Sequence, residues 1–142
     1  MCGCARCRAQ QVRIGALRIT SRFGPRVDPV TGRAHVHTGI DLDGETGDTI
    51  LASRAGKVVR LDLDGQGKGI VNGNAVHVAD PWGYLWSYLH LSRILVGLGQ
   101  QLQAGQPLGL MGSTGRSTGS HLHFSLKAPS GQYIDPLPYL RG

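Results

Sequence analysis

The residues of this 142-residue chain best suited to chemistry are histidines in two places, His121-Leu122-His123 towards one end and His37, with Asp41 four residues on, towards the other. Together they offer three good zinc ligands with a histidine to spare. A structural zinc site closes with four cysteines or histidines, whereas a hydrolytic one takes three protein ligands of the His, Asp or Glu kind and leaves the fourth position to water. The three cysteines lie elsewhere, at Cys2, Cys4 and Cys7. The pattern is that of a catalytic metal site. The chain has a single glutamate, Glu45, and no His-Glu-x-x-His, so a histidine has to handle the protons.

These side chains must be positioned by particular elements. His121, His123, Ser125 and Lys127 alternate with Leu122, Phe124 and Leu126, the period of a half-buried strand. The two histidines then project side by side from its polar face, where one can bind metal while its neighbour faces the same cleft. In the first cluster an extended chain would hold His37 and Asp41 about 13 Å apart, at about 3.3 Å per residue, too far to share an ion. The chain must bend there, and Gly39 lets it. A third strand is expected where Tyr84, Trp86, Tyr88 and His90 alternate with Leu85, Leu89 and Leu91, giving an aromatic face that ends in a histidine. His77, between Val76 and Val78, is expected to face away from the core as a bystander.

Several segments, taken in order, carry a resemblance. They are Ile19-Thr20-Ser21-Arg22-Phe23-Gly24, His37-Thr38-Gly39-Ile40-Asp41-Leu42, Gly73-Asn74, Tyr88-Leu89-His90-Leu91-Ser92, Gly112-Ser113-Thr114-Gly115 and His121-Leu122-His123-Phe124. With them the chain resembles the lysostaphin-type (LytM-like) zinc metallopeptidases, which cut peptide bonds in bacterial peptidoglycan. The resemblance implies one zinc ion on His37, Asp41 and His123, with His90 and His121 as catalytic histidines that do not bind it. His35 is two residues ahead of His37 and out of register with Asp41, so it is read as a rim residue. Zinc would lower the pKa of its water and polarise the scissile carbonyl. The implied partner is the peptide stem of peptidoglycan, and the implied place of action is the cell envelope, periplasmic or extracellular. Substrate contacts are expected at Asn74, by resemblance, and at Arg26, Tyr88 and Arg116, by proximity to the motifs. The rival reading is a non-enzymatic wall-binding activator or a carrier domain of the same fold, but activators lack ligands and none is missing here.

Composition supports an all-β fold, a compact antiparallel β-sheet or barrel-sandwich domain with Gly-rich loops around one zinc cleft. There are 22 glycines and few helix signals. Strands are expected at Thr49–Ser53, Lys57–Asp64 (with Val59, Leu61 and Leu63 on one face), Ala75–Ala79, Tyr84–Leu91 and His121–Lys127, and Gly97–Gly112 reads as tight turns with a short hairpin. Residues 1–18 form a basic, cysteine-containing segment expected to be disordered, and 19–142 the metallopeptidase domain. A net charge of +6 favours anionic partners, but no nucleic-acid module is recognisable. The segment Gly112–Gly119 lacks the lysine of a phosphate-binding loop and runs into a strand instead of a helix. A monomer with no membrane span is expected. No apolar run of signal-peptide kind follows the basic residues, so delivery by phage or as a processed form is expected.

Overall fold

Alternating apolar residues and frequent glycines give a fold of short strands. In the computed structural model, which describes residues 11–14, 17–27, 31–115 and 119–140, these are β1 (Gln11–Arg13), β2 (Ile19–Ser21), β3 (Gly24–Val27), β4 (Ala34–His37), β5 (Ile40–Asp43), β6 (Thr49–Leu51), β7 (Gly56–Asp62), β8 (Asn74–Ala79), β9 (Leu85–Ile94), β10 (Gln101–Leu102), β11 (Pro107–Met111), β12 (His121–Lys127) and β13 (Tyr133–Ile134). One helical turn, α1 (Gly69–Asn72), and a 3-10 turn at Leu137–Tyr139 complete the described elements. Cys2, Cys4, Cys7 and Arg116 lie outside the described residues.

One sheet of eleven strands, antiparallel but for the β1–β6 pair, runs β1-β6-β11-β9-β12-β5-β2. From β9 it branches through β8 and β7 to β10, β13 pairs with β12, and β3 and β4 form a separate hairpin. The sheet takes in Gln11–Arg13, and Ile14 behind them is buried in the core, so the fold reaches back into the segment read as an N-terminal tail.

Trp86, Tyr88, Phe124, Leu126, Ile40, Leu42 and Ile50 share one core. Each such buried side chain contributes about 1.5–3 kcal/mol. Phe124 packs between the rings of Trp86 and Tyr88, with centroids at 5.7 and 5.0 Å. Just past β6, Ser53 donates its backbone N–H to the Tyr88 hydroxyl at 3.0 Å. Tyr88 thus reaches from β9, past β11, to Ser53 just beyond the end of β6. Among the described residues no helix is long and apolar enough to cross a membrane.

The expected strands at Thr49, Lys57, Ala75, Tyr84 and His121 are all present, and β12 has the expected limits. Three details differ. Val58 pairs with Val78 and Arg60 with His77, leaving Val59 unpaired in a bulge. Val58 is therefore the buried residue, while Val59 and Leu63 are exposed. In the segment read as a hairpin, β10 pairs with β7 and β11 with β6 and β9, so the two strands do not pair with each other. The third difference concerns β9 and shapes the site.

Candidate metal centre

The β5–β12 pairing sets His123 directly opposite Asp41, and β4 ends on His37. The link between β4 and β5 has to pass very close to β12. A Cβ on Gly39 would lie 2.5 Å from the Phe124 carbonyl oxygen and 2.8 Å from His123 Nε2. Glycine is needed there for close approach, and its φ is not among the positive ones. As a result, one ligand atom from each of His37, Asp41 and His123 falls within 4.8 Å of the others.

The surroundings prepare these atoms for a metal. His37 Nδ1–H donates to the Arg22 carbonyl at 3.0 Å, which presents Nε2 towards Asp41 Oδ2, 3.5 Å away. A second bond of this kind fixes the tautomer and orientation of a metal-binding histidine. Burial alone would raise the Asp41 carboxyl, but the bond from His123 and the neighbouring His123, His37 and His121 rings outweigh it and hold it below its ordinary value. Two imidazoles and one ionised carboxylate, partly shielded from solvent, fit a hydrolytic metal with an open position.

His90 and His121 stand beside this cluster. Their ring centroids are 5.1 Å apart, and His90 lies 6.2 Å from the His123 ring. Both rings are anchored through Nδ1, His90 to the Thr114 carbonyl at 2.7 Å and His121 to the Gly119 carbonyl at 2.9 Å. His90 lines the cleft, and His121 Nε2 lies 3.8 Å from Asp41 Oδ1. Burial pushes His90 below its ordinary value, partly offset by the Thr114 bond.

Strict alternation along β9 would have put His90 with the aromatics. Instead β12 lines one edge of β9 at Leu85–Leu89, β11 takes over at Leu91–Ile94, and His90 falls at the change of partner. It is the only non-glycine with positive φ, +67°, among the described residues. This local turn moves His90 to the cleft face while Trp86 and Tyr88 point into the core, 2 % and 0 % exposed. Tyr88, expected as a substrate contact, is thereby placed in the core. Tyr88 is not a cleft residue, and its hydroxyl is engaged by Ser53.

The cleft encloses about 290 Å³, with His90 and His123 at one end and Leu85, Lys127 and Tyr133 at the other. Ser87, Ser125 and His77 lie along it. His77 does point away from Val76 and Val78, but it is no solvated bystander, being 4 % exposed. Its Nε2 lies 2.7 Å from Asp62 Oδ2 and its Nδ1 2.7 Å from the Ser87 hydroxyl. Burial would raise Asp62, but bonds from Arg60, Asn72 and His77 outweigh it and hold the carboxyl at about 2. Burial pushes His77 down, so the imidazole is neutral at pH 7. An ionised carboxylate only accepts, so Nε2 carries the proton, Nδ1 accepts from Ser87, and Ser87 Oγ offers lone pairs to anything in the cleft.

Asn74 donates to the Leu91 carbonyl at 3.1 Å and accepts from Asp64 N–H at 2.9 Å, bracing the strand just past His90. Arg26 sits on β3 opposite His35. The sequence reading missed Thr114, which holds His90, caps Asn74 N–H and bonds the Leu91 carbonyl. Its only signal was its place in Gly112-Ser113-Thr114-Gly115.

With this geometry in hand, comparison with known proteins is direct. The chain is 39% identical over 108 residues to the peptidoglycan DD-endopeptidase ShyC of Vibrio cholerae, covering 75% of this chain and 24% of that protein. It spans about a quarter of the length of the curated relatives it matches. A zinc-containing peptidase from Vibrio cholerae superposes with a TM-score of 0.77 at 36% identity, over 89% of this chain and 38% of that one. The catalytic domain of a variant of the prophage-encoded M23 protein EnpA from Enterococcus faecalis does so with 0.73 at 33%, over 87% and 91%. Residues 35–136 match Peptidase family M23, a span that runs from β4 to past β13 and holds all five residues of the centre. The chain belongs to Peptidase family M23.

Proposed function

We propose that this chain is a zinc-dependent endopeptidase that hydrolyses the peptide cross-links of bacterial peptidoglycan, with one Zn2+ on His37, Asp41 and His123 and with His90 and His121 as catalytic histidines. The observation that carries this reading is the convergence of the three ligand atoms within 4.8 Å, beside two further histidines whose rings lie 5.1 Å apart and are each anchored through Nδ1 to a backbone carbonyl. Relatives named as peptidoglycan DD-endopeptidases support the substrate class. They also support action at the cell envelope.

When bound, zinc supplies a Lewis acid that lowers the pKa of water and polarises a carbonyl. The protein's own groups do the rest. His90 and His121 hold and move protons at Nε2, one accepting from the attacking water and one donating to the leaving amine or to the scissile carbonyl oxygen as it gains charge, each anchored by a backbone carbonyl so that it swings little. Ser87 accepts a substrate N–H, because its own proton is committed to His77. Asn74 keeps the strand after His90 in place, and Arg26 and Arg116 supply positive charge for stem carboxylates. The decisive experiment measures bound zinc together with release of soluble peptides from purified peptidoglycan. Purely glycan products, or an unlinked L-peptide cleaved as fast as the wall, would overturn the reading.

A further inference from the structure

A second concavity lies outside the metal cleft. It encloses about 220 Å³ and is lined by Arg54, Asp80, Trp82, Tyr84, Trp86 and Tyr139. Both tryptophans of the chain are in it. Trp82 is 76 % exposed, an unusual state for so large an apolar ring. It is nonetheless held by its backbone. Asp80 Oδ1 accepts the N–H groups of Trp82 and Tyr84 at 2.9 and 3.0 Å, and Oδ2 accepts Trp86 Nε1–H at 3.0 Å. Tyr139 closes the far side, its ring centroid 5.8 Å from Tyr84 and 6.3 Å from Trp86.

The chemistry of the lining narrows the ligand. Asp80 spends both oxygens on three N–H donors, so it has little left for a cation. The Arg54 guanidinium sits 5.6 Å over the Trp86 ring and bonds the Tyr139 carbonyl. It occupies the place that an ammonium ligand would need, and its charge repels one. Tyr139 is inclined at 45° to Tyr84 and at 80° to Trp86, so these rings do not offer two parallel faces to a flat base. A concavity lined by tilted rings, two of them tyrosines, and by a guanidinium suits a puckered ring with C–H faces and polar edges. That ring is a pyranose, and the volume holds one such unit, being below the range of larger ligands.

The two concavities meet at the start of β9, where Leu85 lines the metal cleft and Trp86 the aromatic cup, on opposite faces of the strand. We propose that the Trp82 cup binds one pyranose ring of the glycan strand of the substrate, a proposal that rests on the endopeptidase reading for its source of sugar.

The test titrates the zinc-loaded protein with β-1,4-linked N-acetylglucosamine oligosaccharides and follows tryptophan fluorescence, which reports only on this cup. A saturable change is expected in the wild type and in His123→Ala. It should vanish in Trp82→Ala, where Trp86 still reports. In hydrolysis, Trp82→Ala should lower the ratio of kcat/KM on intact peptidoglycan to that on a glycan-free cross-linked peptide roughly tenfold, through KM, the scale of one lost stacking contact. No saturable binding by the wild type would overturn the proposal whatever the activity. An equal loss on both substrates would also overturn it, assigning Trp82 to the fold or to a protein partner. If neither substrate is cut, the endopeptidase reading fails, and the fluorescence titration still decides whether the cup takes a sugar.

Discussion

Asp41 and His123 face each other across the β5–β12 pairing, with His123 Nδ1 2.9 Å from Asp41 Oδ1. One pair of strands therefore fixes two of the three proposed ligands, and the end of β4 supplies the third. Asp41→Asn, His37→Ala and His123→Ala are each expected to weaken zinc binding by more than about 100-fold. Competition with a chromophoric chelator measures this. A variant that keeps stoichiometric zinc at wild-type affinity removes its residue from the ligand set.

His90→Ala and His121→Ala should retain zinc and fold but lose at least about 100-fold in kcat, the scale of a general acid or base. His90 has a second, separable effect because of its φ of +67°. His90→Asn tolerates that conformation, whereas His90→Val should cost about 1–2 kcal/mol more in a urea melt. Equal stability of the two variants would show that the backbone there relaxes at no cost.

Gly39→Ala should disturb the centre without touching a ligand. The added methyl would collide with the Phe124 carbonyl and His123 Nε2, and overpacking of this kind costs about 1–3 kcal/mol. Lower zinc affinity together with a lower melting temperature is the expected result. A variant unchanged in both would mean that the β4–β5 link moves easily.

The buried chain Asp62–His77–Ser87 predicts a pH dependence of stability. His77 has its folded pKa lowered below 6.5, so the unfolded chain takes the proton first and stability falls as pH drops below 6.5. Asp62, held at about 2 against 3.8, contributes stability that is present above 3.8 and lost as pH falls towards 2. Both act in the same direction. His77→Gln should flatten the upper limb, and His77→Ala should cost about 2–3 kcal/mol at pH 7 by stranding Asp62 and Ser87. Urea midpoints from pH 8 to pH 3 check the sign. A wild type and a Gln variant with parallel curves would exclude His77 as the source.

Much of the centre was legible because β12 keeps a strict period of two, which fixes the orientation of His121 and His123 before any partner is known. Asp41 was legible as a donor at a set distance from His37. The place of His90 was not, since alternation groups it with Tyr88 and only a change of strand partner, without a glycine to announce it, separates them. The burial of His77 was not legible for a related reason. Its burial comes from Asp62 and Ser87 on the two flanking strands, and the bulge at Val59 that turns Asp62 inward lies in β7. Pairings between strands are the part of the fold that local pattern does not encode.

The order of strands has a consequence for how the protein is made. His123 is separated from Asp41 by 82 residues, and β12 inserts between β5 and β9, in the interior of the sheet and not at its rim. A ribosome releases β12 after β5, β7, β8 and β9, so the nascent chain carries a gap at the middle of its sheet until His121–Lys127 has emerged. His121 and His123, one proposed proton-handling histidine and one proposed ligand, arrive with that strand. On the proposed assignment, a fragment ending before His121 lacks both and is expected to be inert.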